Sequence, residues 1–161
     1  MGMGPYVKKM KKYLPEGTDF MMASAQVVVM NEDDKFLITK REDDGRWDFP
    51  GGGCEETDTF KQTAVKEMQE ELNLEIVEED LEFLGVISDS ALNTMTYADN
   101  NTKYYSTIFG VVVNQFVPEF IDGETVDYAF VTLEESLEYN LVASSRYIAE
   151  QLMDNNIPFI N

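Results

Sequence analysis

Length, composition and charge exclude several classes of protein at the outset. The chain has 161 residues, and its 43% hydrophobic and 12% aromatic content predicts one folded domain over residues 1–161 and excludes a disordered chain. Its 31 acidic and 12 basic residues give a formal net charge of −19 at pH 7. Such a charge repels phosphate backbones, so general nucleic-acid binding is not expected. A site that handles phosphate groups would need a divalent cation.

The chain contains no histidine and a single cysteine, Cys54. Catalytic triads that use histidine and zinc sites built from imidazoles are therefore excluded. One cysteine cannot form an internal disulfide, which agrees with a reducing, cytoplasmic compartment. No apolar run reaches the roughly 18 residues of a membrane span, so a soluble protein is expected. Any chemistry depends on carboxylates, lysine, tyrosine or a metal ion.

The first predicted element is a short amphipathic helix in an N-terminal extension over residues 1–20. Apolar residues recur at helical spacing between lysines, and a proline ends the pattern: Tyr6, Met10, Tyr13, Leu14 and Pro15. Docking on the domain or on a partner subunit is the favoured interpretation, and binding to a membrane surface is the alternative. The helix and the many aromatic residues also suggest a surface for a homodimer.

A β-hairpin and a glycine turn are predicted next. The apolar run Ala25–Met30 and the run Phe36–Thr39 flank a polar turn at residues 31–34. Three consecutive glycines, Gly51 to Gly53, then predict a close turn of the backbone.

The helix after the glycine turn is predicted over about residues 59–72. Its buried stripe consists of four apolar residues spaced by four, Phe60, Ala64, Met68 and Leu72. Thr59 and Gln62 have the spacing of a capping box at its start. Asn73 is suited to the left-handed conformation that often ends a helix.

The second half of the chain mixes strands and helices without strict alternation. Strands are predicted at Leu81–Ile87, Tyr104–Val113 and Thr125–Val131, an irregular polar stretch at Asp89–Thr102, and a closing helix at Ala143–Met153. This order predicts an α+β fold in which helices cover both faces of a mixed β-sheet.

Glu67, Glu70 and Glu71 stand at positions i, i+3 and i+4 of the predicted helix. Their carboxylates are expected on one side of the helix, across from the apolar stripe. Like charges at this spacing destabilise a helix by roughly 0.2–0.5 kcal/mol per pair, so a bound cation is the natural reason for the grouping. A ligand set made only of oxygen atoms suits Mg²⁺ or Mn²⁺ better than zinc. An ordinary solvated helix face is the alternative.

The same region, over about residues 52–74, resembles the Nudix box. The matching positions are Gly52, Asp58, Lys66-Glu67-Met68, Glu70-Glu71 and Asn73-Leu74, where the family has Gly, Glu, Arg-Glu-apolar, Glu-Glu and Gly-apolar. The resemblance extends over residues 23–148 and includes Arg41, Trp47, Pro50 to Gly53, Glu55, Asp122-Gly123-Glu124 and Leu133-Glu134-Glu135. The chain is identified as a MutT-like member of the Nudix hydrolase family, which implies an α/β/α sandwich.

Three positions depart from the family's box, because Asp58 replaces Glu, Lys66 replaces Arg and Asn73 replaces Gly. Asp58 is shorter by one methylene, and Lys66 keeps its charge but lacks the planar fork of a guanidinium. Asn73 tolerates the left-handed conformation. With these departures we expect an active enzyme that is slower than one with the full box, or that differs from it in its kinetic properties.

The resemblance implies a metal site on the helix. Glu67, Glu70 and Glu71 would be the ligands, and Gly52 would add its backbone carbonyl. Lys66 would orient one of the box carboxylates. The alternative for Lys66 is a solvated side chain paired with Glu70 along the helix.

The general base must be a carboxylate, because the chain has no histidine. Glu70 is the first choice inside the box. Related enzymes also recruit an acid from outside the box, and Glu124 and Glu119 are the matching candidates. Their alternative role is that of acids in a surface loop.

Four residues near the box are candidates for substrate binding. Arg41 and Arg46 could hold a phosphate group, although ion pairs with the neighbouring aspartates are the alternative. Trp47 could stack on a base, with packing in the core as the alternative. Tyr97 borders the polar stretch in which a specificity loop is expected.

The resemblance implies magnesium-dependent hydrolysis, by water, of a nucleoside diphosphate linked to another moiety. A nucleotide-binding or sensor module that has lost turnover is the main rival, and an acidic domain that binds calcium is a third interpretation. The sequence does not specify the diphosphate compound, because substrate choice depends on loops whose sequences do not indicate what they bind.

Overall fold

A mixed β-sheet runs through the middle of the molecule. The structure is a computed structural model, and it describes residues 4–161. The strands in chain order are β1 (Phe20–Met30), β2 (Phe36–Arg41), β3 (Trp47–Asp48), β4 (Gly51–Gly53), β5 (Glu82–Ile87), β6 (Thr94–Thr96), β7 (Asn101–Val112), β8 (Thr125–Val131) and β9 (Phe159–Ile160). The helices are α1 (Pro5–Lys11), α2 (Phe60–Leu72), α3 (Ser90–Asn93), α4 (Leu133–Ser136) and α5 (Ala143–Met153), and a 3-10 turn covers Glu78–Asp80.

The strand pairing combines parallel and antiparallel ladders. β1 and β7 run parallel from the pair Phe20 and Thr102 to the pair Met30 and Val112. β7 is antiparallel to β5, which is parallel to β9, and β2 is antiparallel to β3 and β8. The main strand order is β3-β2-β1-β7-β5-β9. This topology confirms the prediction of a mixed sheet.

The predicted hairpin is short and forms mainly at its turn. Asn31 Oδ1 accepts hydrogen bonds from the backbone N–H groups of Asp33 (3.0 Å) and Lys35 (3.1 Å). The two strands pair at Met30 and Phe36 and then separate. They separate because β4 pairs with β1 and because β2 pairs with β3 and β8.

Helices cover both faces of the sheet. One face packs against α2 through fully buried side chains, which include Val27, Val29, Ala64, Met68 and Leu72. The other face packs against α5 through a second buried cluster, which includes Val28, Ile38, Phe49, Ile148 and Ala149. The order helix, sheet, helix confirms the predicted α+β sandwich.

Helix α2 begins and ends as its sequence predicts. Thr59 Oγ1 accepts from the Gln62 N–H at 3.1 Å, and Gln62 Oε1 accepts from the Thr59 N–H at 2.9 Å, which completes the capping box. Asn73 ends the helix in the left-handed conformation, with φ 54° and ψ 34°. The prediction was wrong for Phe60, which is 42% exposed. As the first residue of the helix, Phe60 lines a shallow surface groove with Met21 instead of entering the core.

The polar stretch 89–102 is more regular than predicted, because it contains α3 and β6. Asp89 caps α3 with its side chain. Asn93 Nδ2 donates to the Tyr104 carbonyl at 2.8 Å and to Ser106 Oγ at 2.7 Å. Hydrogen bonds of this kind have no periodic sequence signal, so the stretch looked irregular. β8 and α5, in contrast, have the predicted bounds.

Helix α1 is shorter than predicted and lies against the domain. Residues 1–3 of the predicted extension lie outside the described residues, and Phe20 already belongs to β1. Lys9 of α1 pairs with Glu56 at 2.8 Å, and the segment is docked on the domain by such contacts. Among the helices of residues 4–161, none is long and apolar enough to cross a membrane.

We expect Thr59→Ala to lower the free energy of unfolding by about 1 kcal/mol, because it removes the side-chain acceptor at the start of α2. Thr57→Ala is the matched control, since Thr57 is exposed and precedes the helix. Urea denaturation of both variants measures the difference. Equal stabilities of the two variants would show that the capping box contributes nothing.

Candidate active site

The glycine turn presses the backbone against helix α2. Gly52 lies opposite Ala25 in the ladder between β4 and β1. A Cβ atom on Gly52 would overlap the carboxyl group of Glu67, so this carboxyl group occupies space that only a glycine leaves open. On the other side of the turn, a Cβ atom on Gly51 would overlap the Ala25 carbonyl oxygen. Glycine at position 51 is therefore needed for the close approach of β4 to β1, and glycine at position 52 leaves room for the Glu67 carboxylate.

The three glutamates of the helix differ in depth. Glu71 is buried, with 5% exposure, whereas Glu67 is half-buried and Glu70 is exposed. The expectation that all three lie across from the apolar stripe was wrong for Glu71. Glu71 lies three residues after Met68 and seven after Ala64, both fully buried, and so shares their inward-facing side. Glu67 and Glu71, one turn apart, form a row that leads from the surface towards the interior.

A second acidic element faces the helix. One carboxylate oxygen from each of Glu71, Asp122 and Glu124 lies within 4.8 Å of the other two. The loop before β8 forms a tight turn in which Asp122 Oδ1 accepts the Glu124 N–H at 2.9 Å. Gly123 between them has φ +77°, a conformation that favours glycine. Glu124 was a predicted candidate, whereas no role was predicted for Asp122, although the Asp-Gly-Glu turn before a strand was a usable signal.

Burial and mutual repulsion determine the acidity of these groups. Burial, followed by the charges of Glu70 and Glu124, raises the pKa of Glu67 from 4.5 to about 8. Burial and the charge of Glu67 raise the pKa of Glu71 well above its ordinary value. A cation is what would hold such crowded carboxylates in their charged form, and hard oxygen donors suit a divalent ion such as Mg²⁺. The residues therefore fit the chemistry of a metal site.

Lys66 makes its ion pair with Asp58. Its Nζ atom donates to Asp58 Oδ2 at 2.6 Å, and this hydrogen bond raises the pKa of Lys66. The carboxylate that Lys66 contacts is thus not that of Glu70, its partner in the solvated alternative. Two departures from the family's box, the shorter acid and the lysine, are partners of each other.

A cavity of about 510 Å³ opens beside the carboxylates. Glu67, Glu70 and Glu124 line it, and so does Tyr97. The hydroxyl groups of Tyr97 and Tyr104 are hydrogen-bonded at 2.9 Å. Burial and then Tyr97 raise the pKa of Tyr104, so its phenol stays neutral. The volume is typical of a small-molecule site, and the structure brings Tyr97 together with the acidic cluster.

Arg41 lies at the inner end of the cluster. It is buried, and its guanidinium donates to Asp43 at 2.6 and 3.0 Å and lies 3.4 Å from the carboxylates of Asp44 and Asp48. Burial lowers the pKa of Arg41, but Asp43 and Asp48 raise it more, so the net shift is upward. With Glu71 it lines a cavity of about 50 Å³, room for about one or two water molecules. The arrangement matches the ion-pair alternative.

Arg46 and Trp47 lie apart from the acidic cluster. Arg46 donates to Asp44 at 2.7 and 2.9 Å. The Trp47 ring makes an edge contact with Tyr139, with ring centroids 5.0 Å apart, and the backbone N–H of Trp47 donates to the Asn140 carbonyl at 2.9 Å. Neither is among the described residues that line the two cavities. The contacts match the alternatives, ion pairing for Arg46 and packing for Trp47.

Comparison with known proteins decides the family. The model of the NUDIX domain matches residues 21–152. The chain belongs to the Nudix family. It is therefore a Nudix-type pyrophosphate hydrolase, of a family that acts generally on nucleoside diphosphate linkages and uses divalent metals. The predicted family, fold and enzyme class are confirmed.

Several Nudix proteins resemble this chain. The nucleoside triphosphatase NudI of Escherichia coli O17:K52:H18 (strain UMN026 / ExPEC) is 28% identical over 127 residues, which cover 73% of this chain and 87% of the relative. The MutT protein from Methanosarcina mazei Go1 has a TM-score of 0.70 at 23% identity, over 86% of this chain and 96% of that one. The NUDIX domain of Shewanella oneidensis NrtR, complexed with ADP ribose, has a TM-score of 0.64 at 18% identity, over 92% and 96%. The two structures support the shared fold.

The raised pKa of Glu67 predicts how the metal-free protein responds to pH. The folded protein holds the Glu67 proton up to about pH 8, whereas the unfolded chain releases it near pH 4.5. The contribution of Glu67 to the free energy of unfolding is therefore largest below about pH 4.5, and it is lost as the pH rises through about 8. With excess chelator, we expect the melting temperature to fall between about pH 5 and about pH 9, and to fall less in Glu67→Gln. Parallel curves for wild type and variant would contradict this.

Gly52→Ala should weaken Mg²⁺ binding and turnover by about tenfold to a hundredfold, because the added methyl group displaces the Glu67 carboxylate. Gly53→Ala is the matched control. Its Cβ would meet Met22 Cε at 2.8 Å, the end of a flexible side chain that can turn away. Titration calorimetry with Mg²⁺ compares the two variants, and equal affinities would rule out the contact as a determinant of the site.

Proposed function

We propose that the protein hydrolyses the diphosphate linkage of a nucleoside polyphosphate or a similar nucleotide compound, with Mg²⁺ bound at helix α2. The observation that carries the proposal is the convergence of carboxylates from α2 and from the loop before β8 beside a cavity of about 510 Å³. Negative side chains alone would repel a diphosphate. A divalent cation between them converts the repulsion into attraction.

The metal ligands in this proposal are carboxylates and one carbonyl. Glu67, Glu70 and Glu71 would hold the ion from the helix, Gly52 would add its carbonyl, and Glu124 would face them from the loop. The all-oxygen set favours Mg²⁺, with Mn²⁺ as a substitute. When bound, such ions lower the pKa of water and neutralise charge that develops on the phosphate oxygens.

Glu70 and Glu124 are the proposed candidates for the general base. Glu70 is exposed and lines the larger cavity, so a water molecule can reach it there, and as the base it would use the carboxylate oxygen that does not bind the ion. Glu124 lines both cavities and lies within 4.8 Å of Glu71. Glu119, in contrast, accepts from Asn73 Nδ2 at 3.1 Å at the end of α2, a contact that supports its surface alternative. Glu70 remains the first choice.

The relatives favour a nucleoside triphosphate as the substrate, because the similar sequence from Escherichia coli is a nucleoside triphosphatase. Tyr97, which lines the cavity, would contact the nucleoside part. Arg41 and Arg46 are engaged by aspartates, and Trp47 by Tyr139, so we assign them to support of the loop between β2 and β3.

Binding without turnover is the rival function. The ion pair of Asp58 with Lys66 and the left-handed Asn73 preserve the local structure of the box despite the departures. We therefore favour hydrolysis. A homodimer, a cytoplasmic location and the absence of general nucleic-acid binding remain predictions from the sequence.

A substrate panel tests the proposed function. Nucleoside triphosphates, ADP ribose, nucleotide sugars and dinucleoside polyphosphates are incubated with Mg²⁺ or Ca²⁺, and released phosphate, pyrophosphate and nucleoside monophosphate are identified. We expect turnover with Mg²⁺ for at least one compound. Nucleotide binding with no product from any compound would support the sensor, and tight Ca²⁺ binding without nucleotide binding would support the calcium-binding domain.

Glu71→Gln should lower turnover with Mg²⁺ at least about a hundredfold while the fold stays intact, because a neutral amide holds a divalent ion poorly. Glu75→Gln is the matched control, since Glu75 is exposed and lies beyond the end of α2. Steady-state kinetics give the turnover and circular dichroism checks the fold. Wild-type activity in a folded Glu71→Gln protein would remove Glu71 from the site.

A further inference from the structure

Helix α1 forms one wall of the larger cavity. Gly4, Val7, Lys8 and Lys11 line it, and these positions recur at steps of three and four residues along one helix face. The carboxylates of α2 line the same cavity. The family model begins at residue 21, so this wall belongs to a segment outside the match. Side chains from outside the family match therefore line the site.

Polar contacts hold α1 in this position. The Tyr6 N–H donates to Glu55 Oε2 at 3.0 Å, and Lys9 pairs with Glu56, both in the loop before α2. At the other end of the helix Lys11 pairs with Asp99. No residue of α1 is buried, so these contacts, rather than core packing, fix the helix. The helix bridges the loop before α2 and the turn before β7.

The lysines of the cavity differ in their partners. Lys11 pairs with Asp99, and Lys66 pairs with Asp58. Among the ion pairs of residues 4–161, none involves Lys8, although the chain carries 31 acids. An exposed lysine without an acidic partner, on the wall of a cavity lined by glutamates, is placed to meet a negative group of a ligand.

We propose that Lys8 binds the terminal phosphate of a nucleoside triphosphate and so makes the enzyme prefer triphosphates to diphosphates. The inference rests on the proposed function. Metal ions at α2 would neutralise two phosphate groups, whereas a third phosphate brings further negative charge that needs its own partner. An ammonium group binds such a phosphate as a point charge. Lys8 is a specificity residue in this scheme and takes no part in bond cleavage.

Kinetics with matched substrates test the role of Lys8. A nucleoside triphosphate and the diphosphate of the same base are compared in wild type, Lys8→Ala, Lys8→Arg and Lys12→Ala. Lys12 carries the same charge, is exposed and does not line the cavity, so its variant controls for the overall loss of one positive charge. We expect Lys8→Ala to raise KM for the triphosphate about tenfold, with kcat and the KM for the diphosphate nearly unchanged. Lys8→Arg should restore the triphosphate KM.

Two results overturn the assignment while hydrolysis by the wild type stands. In the first, Lys8→Ala has the same KM values as Lys12→Ala for both substrates. In the second, Lys8→Ala raises KM for the triphosphate and for the diphosphate by the same factor. If the wild type hydrolyses neither substrate, titration calorimetry with Mg²⁺ and inorganic tripolyphosphate or pyrophosphate decides. A loss of about tenfold in affinity for tripolyphosphate alone supports Lys8 even if the proposed function fails. Equal affinities in wild type and Lys8→Ala, or no binding, overturn the inference.

Discussion

The close contact between Gly52 and the Glu67 carboxylate sets the geometry on which the rest of the site depends. Because residue 52 has no side chain, β4 pairs with β1 while α2 lies directly beside the turn. A side chain at this position would displace the Glu67 carboxylate. Glu71, one turn further along α2, lies close to Asp122 and Glu124 on the opposite loop. The turn therefore sets the outer end of the row of carboxylates that Glu71 continues inward.

The acidic residues near the site form two groups with opposite roles. In the first group, aspartates form ion pairs with basic side chains: Asp58 with Lys66, and Asp43 with Arg41. In the second group, burial and repulsion raise the pKa values of Glu67 and Glu71. Because Lys66 and Arg41 are paired with these aspartates, they do not neutralise the second group, which keeps the negative charge that the proposed divalent ion needs. The acidic side chains around the site thus divide into those that pair with Lys66 or Arg41 and those that crowd together on α2.

The sequence predicts the helices and strands better than it predicts how deeply each side chain is buried. Caps and periodicity place α2, β8 and α5, since these signals depend on residues within about four positions of one another. The spacing of the box places the glutamates on one helix. It does not show that Glu71 is buried and Phe60 exposed, because depth depends on where the sheet ends beneath the helix. The place of Asp122 and the contact of Trp47 with Tyr139 depend in the same way on packing between distant segments.

The parallel pairing of β1 with β7 has a consequence for the synthesis of the protein. Ser24 and Ser106 contact each other across this pair although they are 82 residues apart. The box lies between the two strands in the sequence, and Asp122 and Glu124 follow the second strand. A nascent chain on the ribosome that already carries the whole box still lacks the partner of β1 and the acidic loop. At the proposed site, a divalent ion would therefore meet its full set of carboxylates only in the finished fold, which it would stabilise more than any earlier intermediate.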